Sequence, residues 1–170
     1  QEADLRMVNL ETPIANSEEE MDETKSYVFN AKIEDISLLK KINIDLVFLG
    51  NNHSMDYGKK GLEDTLENLK KENILFVGMG KNLKEAFLPN QIKIRNQSIN
   101  IISVSNIGES RLFATETKPG VAPLQINRLK KILNEKENQD KIQLLSTHWG
   151  VEYSPEPTKQ QIKQAHDLIN

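Results

Sequence analysis

Apolar residues along this chain fall into short runs separated by longer amphipathic stretches. The first run, Leu5-Arg6-Met7-Val8-Asn9-Leu10, is strand-like, and Thr12-Pro13 gives it an extended exit. Residues 16–26 are polar and acidic without periodicity and read as a surface loop. Ile33, Ile36, Leu39 and Ile42 recur at helical spacing, which predicts a helix over about 33–41. Ile44-Asp45-Leu46-Val47-Phe48-Leu49 is nearly continuous in apolar side chains, as a strand covered on both faces must be. A loop over 50–58 and an amphipathic helix with Leu62, Leu66 and Leu69 on its inner face follow, then a second buried strand over 74–78. A crossover helix between two buried strands makes parallel pairing the expectation.

The second half repeats the alternation less regularly. Residues 82–87 read as a short helix, and 91–95 with 99–104 as a hairpin turning at Asn96-Gln97-Ser98. Residues 105–120 are irregular. Leu124, Ile126, Leu129, Ile132 and Leu133 predict a helix to about residue 137, and a strand over 142–146 then delivers Thr147-His148-Trp149-Gly150. Residues 159–169 form a last amphipathic helix. With no repeat and no low-complexity linker, the expectation is one domain over 1–170, of α/β class, with helices layered outside sheets.

Composition narrows the chemistry. The chain has 37% hydrophobic and 28% charged residues and a net charge of −3, ordinary for a folded globular protein. Its charges are mixed along the sequence, without the basic stripe and interleaved aromatics of a nucleic-acid binder, so nucleic acid is not expected as a partner. With no cysteine, disulfides, thiolate metal sites and cysteine nucleophiles are excluded. No apolar run approaches the ~20 residues that span a bilayer. The chain begins at Gln1 and the last helix stops at Asn170 without an obvious cap, so both ends are expected to be cut.

Three polar groups stand at the carboxyl ends of predicted strands: Asn9 with Glu11, Asn52 with His53, and His148. Ligands of open α/β sheets bind beyond those ends. Imidazole, amide oxygen and carboxylate together suit divalent ions such as Mn, Fe or Zn, and a pair of such ions can clamp a phosphate and activate water. Each group also has a plainer reading: Asn51-Asn52 as a turn, a strand-end histidine as a surface residue, Glu11 as a solvated carboxylate. Gly78-Met79-Gly80 resembles the start of a phosphate loop but lacks the full fingerprint, and Ser103, Ser105 and Ser146 lack a nucleophile elbow. His166, Lys70-Lys71 and Lys130-Lys131 read as solvated helix faces.

Val8-Asn9-Leu10-Glu11-Thr12-Pro13-Ile14, Gly50-Asn51-Asn52-His53-Ser54-Met55-Asp56-Tyr57-Gly58 and His148-Trp149-Gly150 with Glu152-Tyr153 occur in this order. Together they resemble the bacterial capsule-synthesis (CapA, poly-γ-glutamate synthesis) proteins, a branch of the calcineurin-like metallophosphoesterases. The resemblance implies a layered sandwich of mixed sheets with outer helices, here truncated at both ends. It implies Asn52 and His148 as metal ligands, Glu11 as a bridging carboxylate supported by Asn9, and His53 as a catalytic group beside the metals. Asp56 would orient His53 or cap the following helix, and Asn51, Glu152 and Tyr153 would support the site or line the substrate crevice. The family's early Gly-Asp and late Gly-His-x-His ligand loops are not in these 170 residues, so this piece alone is expected to bind metal weakly or not at all and to be inactive.

Two functions follow from the resemblance: a metal-dependent phosphoesterase-type hydrolase, or a non-catalytic accessory subunit for making or exporting an anionic polymer. A plain α/β binding module without metal is a third reading. Expected partners are capsule or polymer synthesis proteins and an anionic polymer or phosphoester, with dimerisation or strand exchange through open sheet edges. The expected location is the extracellular face of the cytoplasmic membrane, anchored by a segment outside this chain.

Overall fold

The computed structural model describes residues 3–16 and 21–169. Part of the loop expected over 16–26, residues 17–20, lies outside them. In chain order the elements are β1 (Met7–Asn9), α1 (Ile36–Lys41), β2 (Leu46–Phe48), α2 (Gly58–Lys71), β3 (Leu75–Val77), β4 (Met79–Gly80), α3 (Leu83–Ala86), β5 (Asn90–Ile94), β6 (Gln97–Ser105), β7 (Gly120–Val121), α4 (Ile126–Leu133), β8 (Ile142–His148) and α5 (Lys159–Ile169).

Two three-stranded sheets carry the architecture. The first has the order β1-β2-β3, all parallel, as the crossover helices require. The second has the order β5-β6-β8, with β5-β6 an antiparallel hairpin and β8 parallel to β6. Strand alternation explains how they stack. Leu46 and Phe48 of β2 and Val77 of β3 face inward and pack with Ile99, Ile101 and Leu144 of the second sheet. Val47 and Leu49 face outward onto Leu62, Leu66 and Leu69 of α2 and Ile36 of α1. On the far side Ile102, Val104 and Leu145 meet Leu129 and Ile132 of α4, Leu168 of α5 and Phe87. The result is a helix–sheet–sheet–helix sandwich, and the two buried faces of β2 account for its unbroken apolar run.

Local departures from the expected elements have local causes. The helix expected to reach residue 137 ends at Leu133, because the buried Asn138 donates from Nδ2 to the Ile132 carbonyl (2.8 Å), and a short 3-10 turn follows. The hairpin turns earlier than expected: Arg95, at φ 53°, takes the left-handed position, so Gln97 and Ser98 already pair with Ile94 and Lys93. Gly78-Met79-Gly80 is no phosphate loop; Gly78, at φ 99°, swings the chain out of the first sheet so that β4 can pair with β7.

The two sheets come into close contact at Gly50. A Cβ there would lie 2.4 Å from Ser103 Oγ and 2.7 Å from the Val104 backbone nitrogen. Gly50 also donates its N–H to Ser103 Oγ (3.2 Å), so the chain just beyond β2 is bonded to the carboxyl-terminal part of β6. Gly50→Ala is expected to lower stability by about 1–3 kcal/mol in urea unfolding through overpacking. Removing the Ser103 side chain as well should not restore it, because the Val104 backbone still blocks the methyl group.

Candidate metal and phosphoester site

The 50–58 loop is built by one amide. Asn51 is 1% exposed, and its side chain saturates itself. Its Oδ1 accepts from the backbone N–H groups of His53 (3.1 Å) and Ser54 (3.0 Å) and from Ser54 Oγ (2.9 Å). Its Nδ2 donates to Asn9 Oδ1 (3.0 Å) and the Leu10 carbonyl (2.9 Å). Asn51 therefore folds its own loop and ties it to the end of β1. Asn9 in turn donates from Nδ2 to Glu11 Oε2 (2.8 Å), which sets the direction of that carboxylate. The chain beyond Glu11 is clamped on α2: the Ile14 N–H donates to Thr65 Oγ1 (2.8 Å) and its carbonyl accepts from Asn68 (3.2 Å).

Across the gap between the sheets, β8 ends at His148, whose carbonyl accepts from Ser105 Oγ (3.1 Å) and the Asn106 N–H (3.2 Å). Its Nε2 lies 2.8 Å from Asn52 Oδ1 and 3.7 Å from Glu11 Oε1. Carboxylate, amide oxygen and imidazole from three strand ends thus converge on one point. Atoms bound to a common metal at about 2.0–2.2 Å sit about 3 Å from one another, so the donor set and its spacing fit a divalent ion. Among the described residues, no group of three or more His, Cys, Asp or Glu side chains forms a metal cage. The triplet here reaches three donors only by counting the Asn52 amide.

His53 stands on the other side of Asn52. Its Nδ1 is 2.7 Å from Asp56 Oδ2, and its ring lies against Phe29 with centroids 4.1 Å apart. Asp56 does not cap α2, whose N-cap is Tyr57 without a side-chain bond. Its fully buried carboxylate also takes Lys25 Nζ (2.5 Å) and the Phe29 N–H (2.8 Å), and its carbonyl accepts from the Asp22 N–H (2.9 Å). The 21–29 segment, its residues 21–26 expected as surface loop, is therefore a strap laid over His53.

A second ionic cluster holds the strap's outer end. Arg111 donates to Asp22, to Thr24 Oγ1 (2.6 Å) and to Glu109 (2.9 Å). Desolvation pushes the Asp22 carboxyl up, but hydrogen bonds from Arg111 and Thr24 outweigh it and hold the group below the usual carboxylate range. Hydrogen bonds that Arg111 donates to Glu109 and Asp22 raise it further above its already high value.

These parts surround a cleft of about 710 Å³ that includes Glu11, Asn52, His53, His148, Trp149 and Glu152. Tyr153 does not line it; at φ 61° its side chain is 96% exposed. His166 is exposed on α5. A larger hollow of about 1150 Å³ runs along the β3 edge between α2 and α3, but it contains no histidine. Its carboxylates are already engaged: Glu63 and Glu67 pair with Lys59 and Lys71, and Glu85 accepts from the Lys81 N–H.

A family profile described as bacterial capsule synthesis protein PGA_cap matches residues 1–170. The chain belongs to this family. It is similar to the PGA biosynthesis protein CapA of Bacillus subtilis, 28% identical over 165 residues, covering 94% of this chain and 42% of that protein. The capsule biosynthesis protein CapA of Bacillus anthracis is 28% identical over 155 residues (86% and 36%). A probable polyglutamine synthesis accessory protein of Mycobacterium tuberculosis is 25% identical over 178 residues (98% and 47%). The chain spans less than half the length of these relatives. Among solved structures, the NAD nucleotidase NadN of Haemophilus influenzae superposes with a TM-score of 0.53 at 18% identity, covering 78% of this chain and 23% of that one. That likeness concerns the fold alone.

Two stability effects follow. Asp56→Ala, which strands the shielded Lys25 ammonium, should cost about 3–5 kcal/mol in denaturant unfolding. For Asp22 the folded-state pKa lies below the unfolded value, so its contribution is present above pH ~4 and disappears as pH falls through the lower folded value. Arg111→Gln should therefore narrow the stability gap between pH 6 and pH 2.5 by about 1 kcal/mol or less, read from urea midpoints at the two pH values.

Proposed function

We propose that this chain carries the central part of a divalent-metal phosphoesterase site in a protein of poly-γ-glutamate or capsule synthesis. The observation that carries the reading is the meeting of Glu11, Asn52 and His148, from three separate strand ends, in one cleft with His53. Glu11, Asn52 and His148 would hold the metal, with Asn9 directing the Glu11 carboxylate. A bound Mn, Fe or Zn would supply Lewis-acid polarisation of a phosphoryl oxygen and a hydroxide nucleophile.

The remaining roles belong to the chain itself. Asp56 fixes the ring of His53 through Nδ1. The other ring nitrogen, Nε2, then serves to hand a proton to the leaving oxygen. Asn51 holds the loop that presents Asn52 and His53, and Glu152 and Trp149 bound the space for the substrate. The strap over His53 limits water at that side of the cleft. The same reading puts the protein on the outer face of the cytoplasmic membrane, beside the polymer-synthesis proteins.

The test uses the whole gene product, with any sequence flanking these residues. Mn²⁺ titration and hydrolysis of bis-p-nitrophenyl phosphate are measured for the parent protein, His148→Ala and His53→Ala. His148→Ala is expected to weaken metal binding about tenfold or more. His53→Ala is expected to keep the metal and lower kcat by about two to four orders of magnitude. A protein that holds no metal, or variants that change neither quantity, would sink the reading.

The mycobacterial relative, named as a synthesis accessory protein, favours a second reading in which the site binds without turnover. Under it, cells carrying His53→Ala and Glu11→Gln go on making polymer at the parental level.

A further inference from the structure

We propose that Lys25 is a positioning residue that holds Asn52 and His53 in register with each other. The proposal rests on the phosphoesterase reading for the meaning of those two residues, but not for its geometry. Lys25 Nζ lies 2.5 Å from the Asn52 carbonyl oxygen and 2.5 Å from Asp56 Oδ1. Asp56 uses its other oxygen, Oδ2, for His53 Nδ1 at 2.7 Å and the Phe29 N–H at 2.8 Å. One ammonium therefore joins the peptide of the candidate ligand Asn52 to the carboxylate that aims His53.

The chemistry of the three groups makes this a constraint on direction as well as on charge. An ammonium offers three donors at fixed angles, and two of them are committed here. A carboxylate at 0% exposure cannot replace a lost partner with water, so its orientation is set by the donors around it. With Oδ1 held by Lys25, Oδ2 meets the imidazole along one line. Without Lys25 the carboxylate can turn toward Phe29 N–H alone, and His53 loses a fixed partner. A residue that merely neutralised Asp56 would need only the Asp56 contact. The second contact, to Asn52, faces the residue whose Oδ1 lies 2.8 Å from His148 Nε2. Lys25 comes from the strap, so closing the strap and aligning the two residues are one event.

The test compares Lys25→Met with the parent protein by ¹⁵N imidazole NMR, with circular dichroism as the check on folding. The parent should show one sharp set of His53 ring signals. Lys25→Met should shift or double them and leave those of His166, exposed on α5, in place; Lys25→Arg, which keeps a cation, should restore a single set. Mn²⁺ affinity of Lys25→Met should fall by about tenfold, as when a partner behind a ligand is removed. A folded Lys25→Met protein with unchanged His53 signals overturns the proposal. If Lys25→Met does not fold, acetylation kinetics on the parent decide. Lys25 should react much more slowly than the exposed Lys59 and Lys71, and equal rates overturn the proposal. A parent protein that binds no Mn²⁺ removes the metal-site reading, while the imidazole signals still decide the role of Lys25.

Discussion

A carboxylate sealed from water must be neutralised by whatever the fold brings to it, and in this protein that demand organises the site. Asp56 lies in the same 50–58 loop that presents Asn52 and His53, two residues before α2. Its two oxygens and its carbonyl collect a lysine ammonium, an imidazole and two backbone N–H groups, three of these partners coming from the 21–29 strap. Stranding any member would leave a polar group buried without a partner, which the interior does not tolerate. The strap has little regular structure of its own, so its conformation is set by this carboxylate and by the Arg111 cluster at its outer end.

The rest of the 50–58 loop shows the same economy on the neutral side. Asn51 satisfies every hydrogen-bonding position of its amide within the loop and the end of β1. An amide with no bond left over cannot be a ligand for anything else. Its neighbour Asn52 is the reverse: its backbone oxygen is held by Lys25 while its side chain points at His148. Two adjacent asparagines thus divide into a brace and a presenter.

What was legible in the sequence follows from burial. The runs around Val47 and Val77 read as strands because both faces of the first sheet are covered. The meeting of Asn9, Glu11, Asn52 and His148 was legible because polar residues at parallel strand ends gather on one edge. Helix and turn boundaries were less so: the end of α4 depends on a side chain five residues beyond it, Asn138. Lys25 left no trace, since an aperiodic acidic stretch gives no sign of which side chain will reach a buried carboxylate. Asp22 and Arg111 are 89 positions apart, and no local pattern links them. Tyr153, adjacent to cleft-lining Glu152, reads as a crevice residue, but the left-handed turn at its own position carries it into solvent.

The placement of the triplet across two sheets has a consequence for how the molecule assembles. Asn52 follows β2 of the first sheet and His148 ends β8 of the second, 96 positions further along the chain. Neither sheet alone contains the meeting point, so no partly folded form with undocked sheets can possess it. Closing so long a loop is among the slow events of folding, because its entropy must be overcome before any contact offsets it. The cleft is therefore complete only when the two sheets are docked, with the Gly50 N–H against Ser103 Oγ.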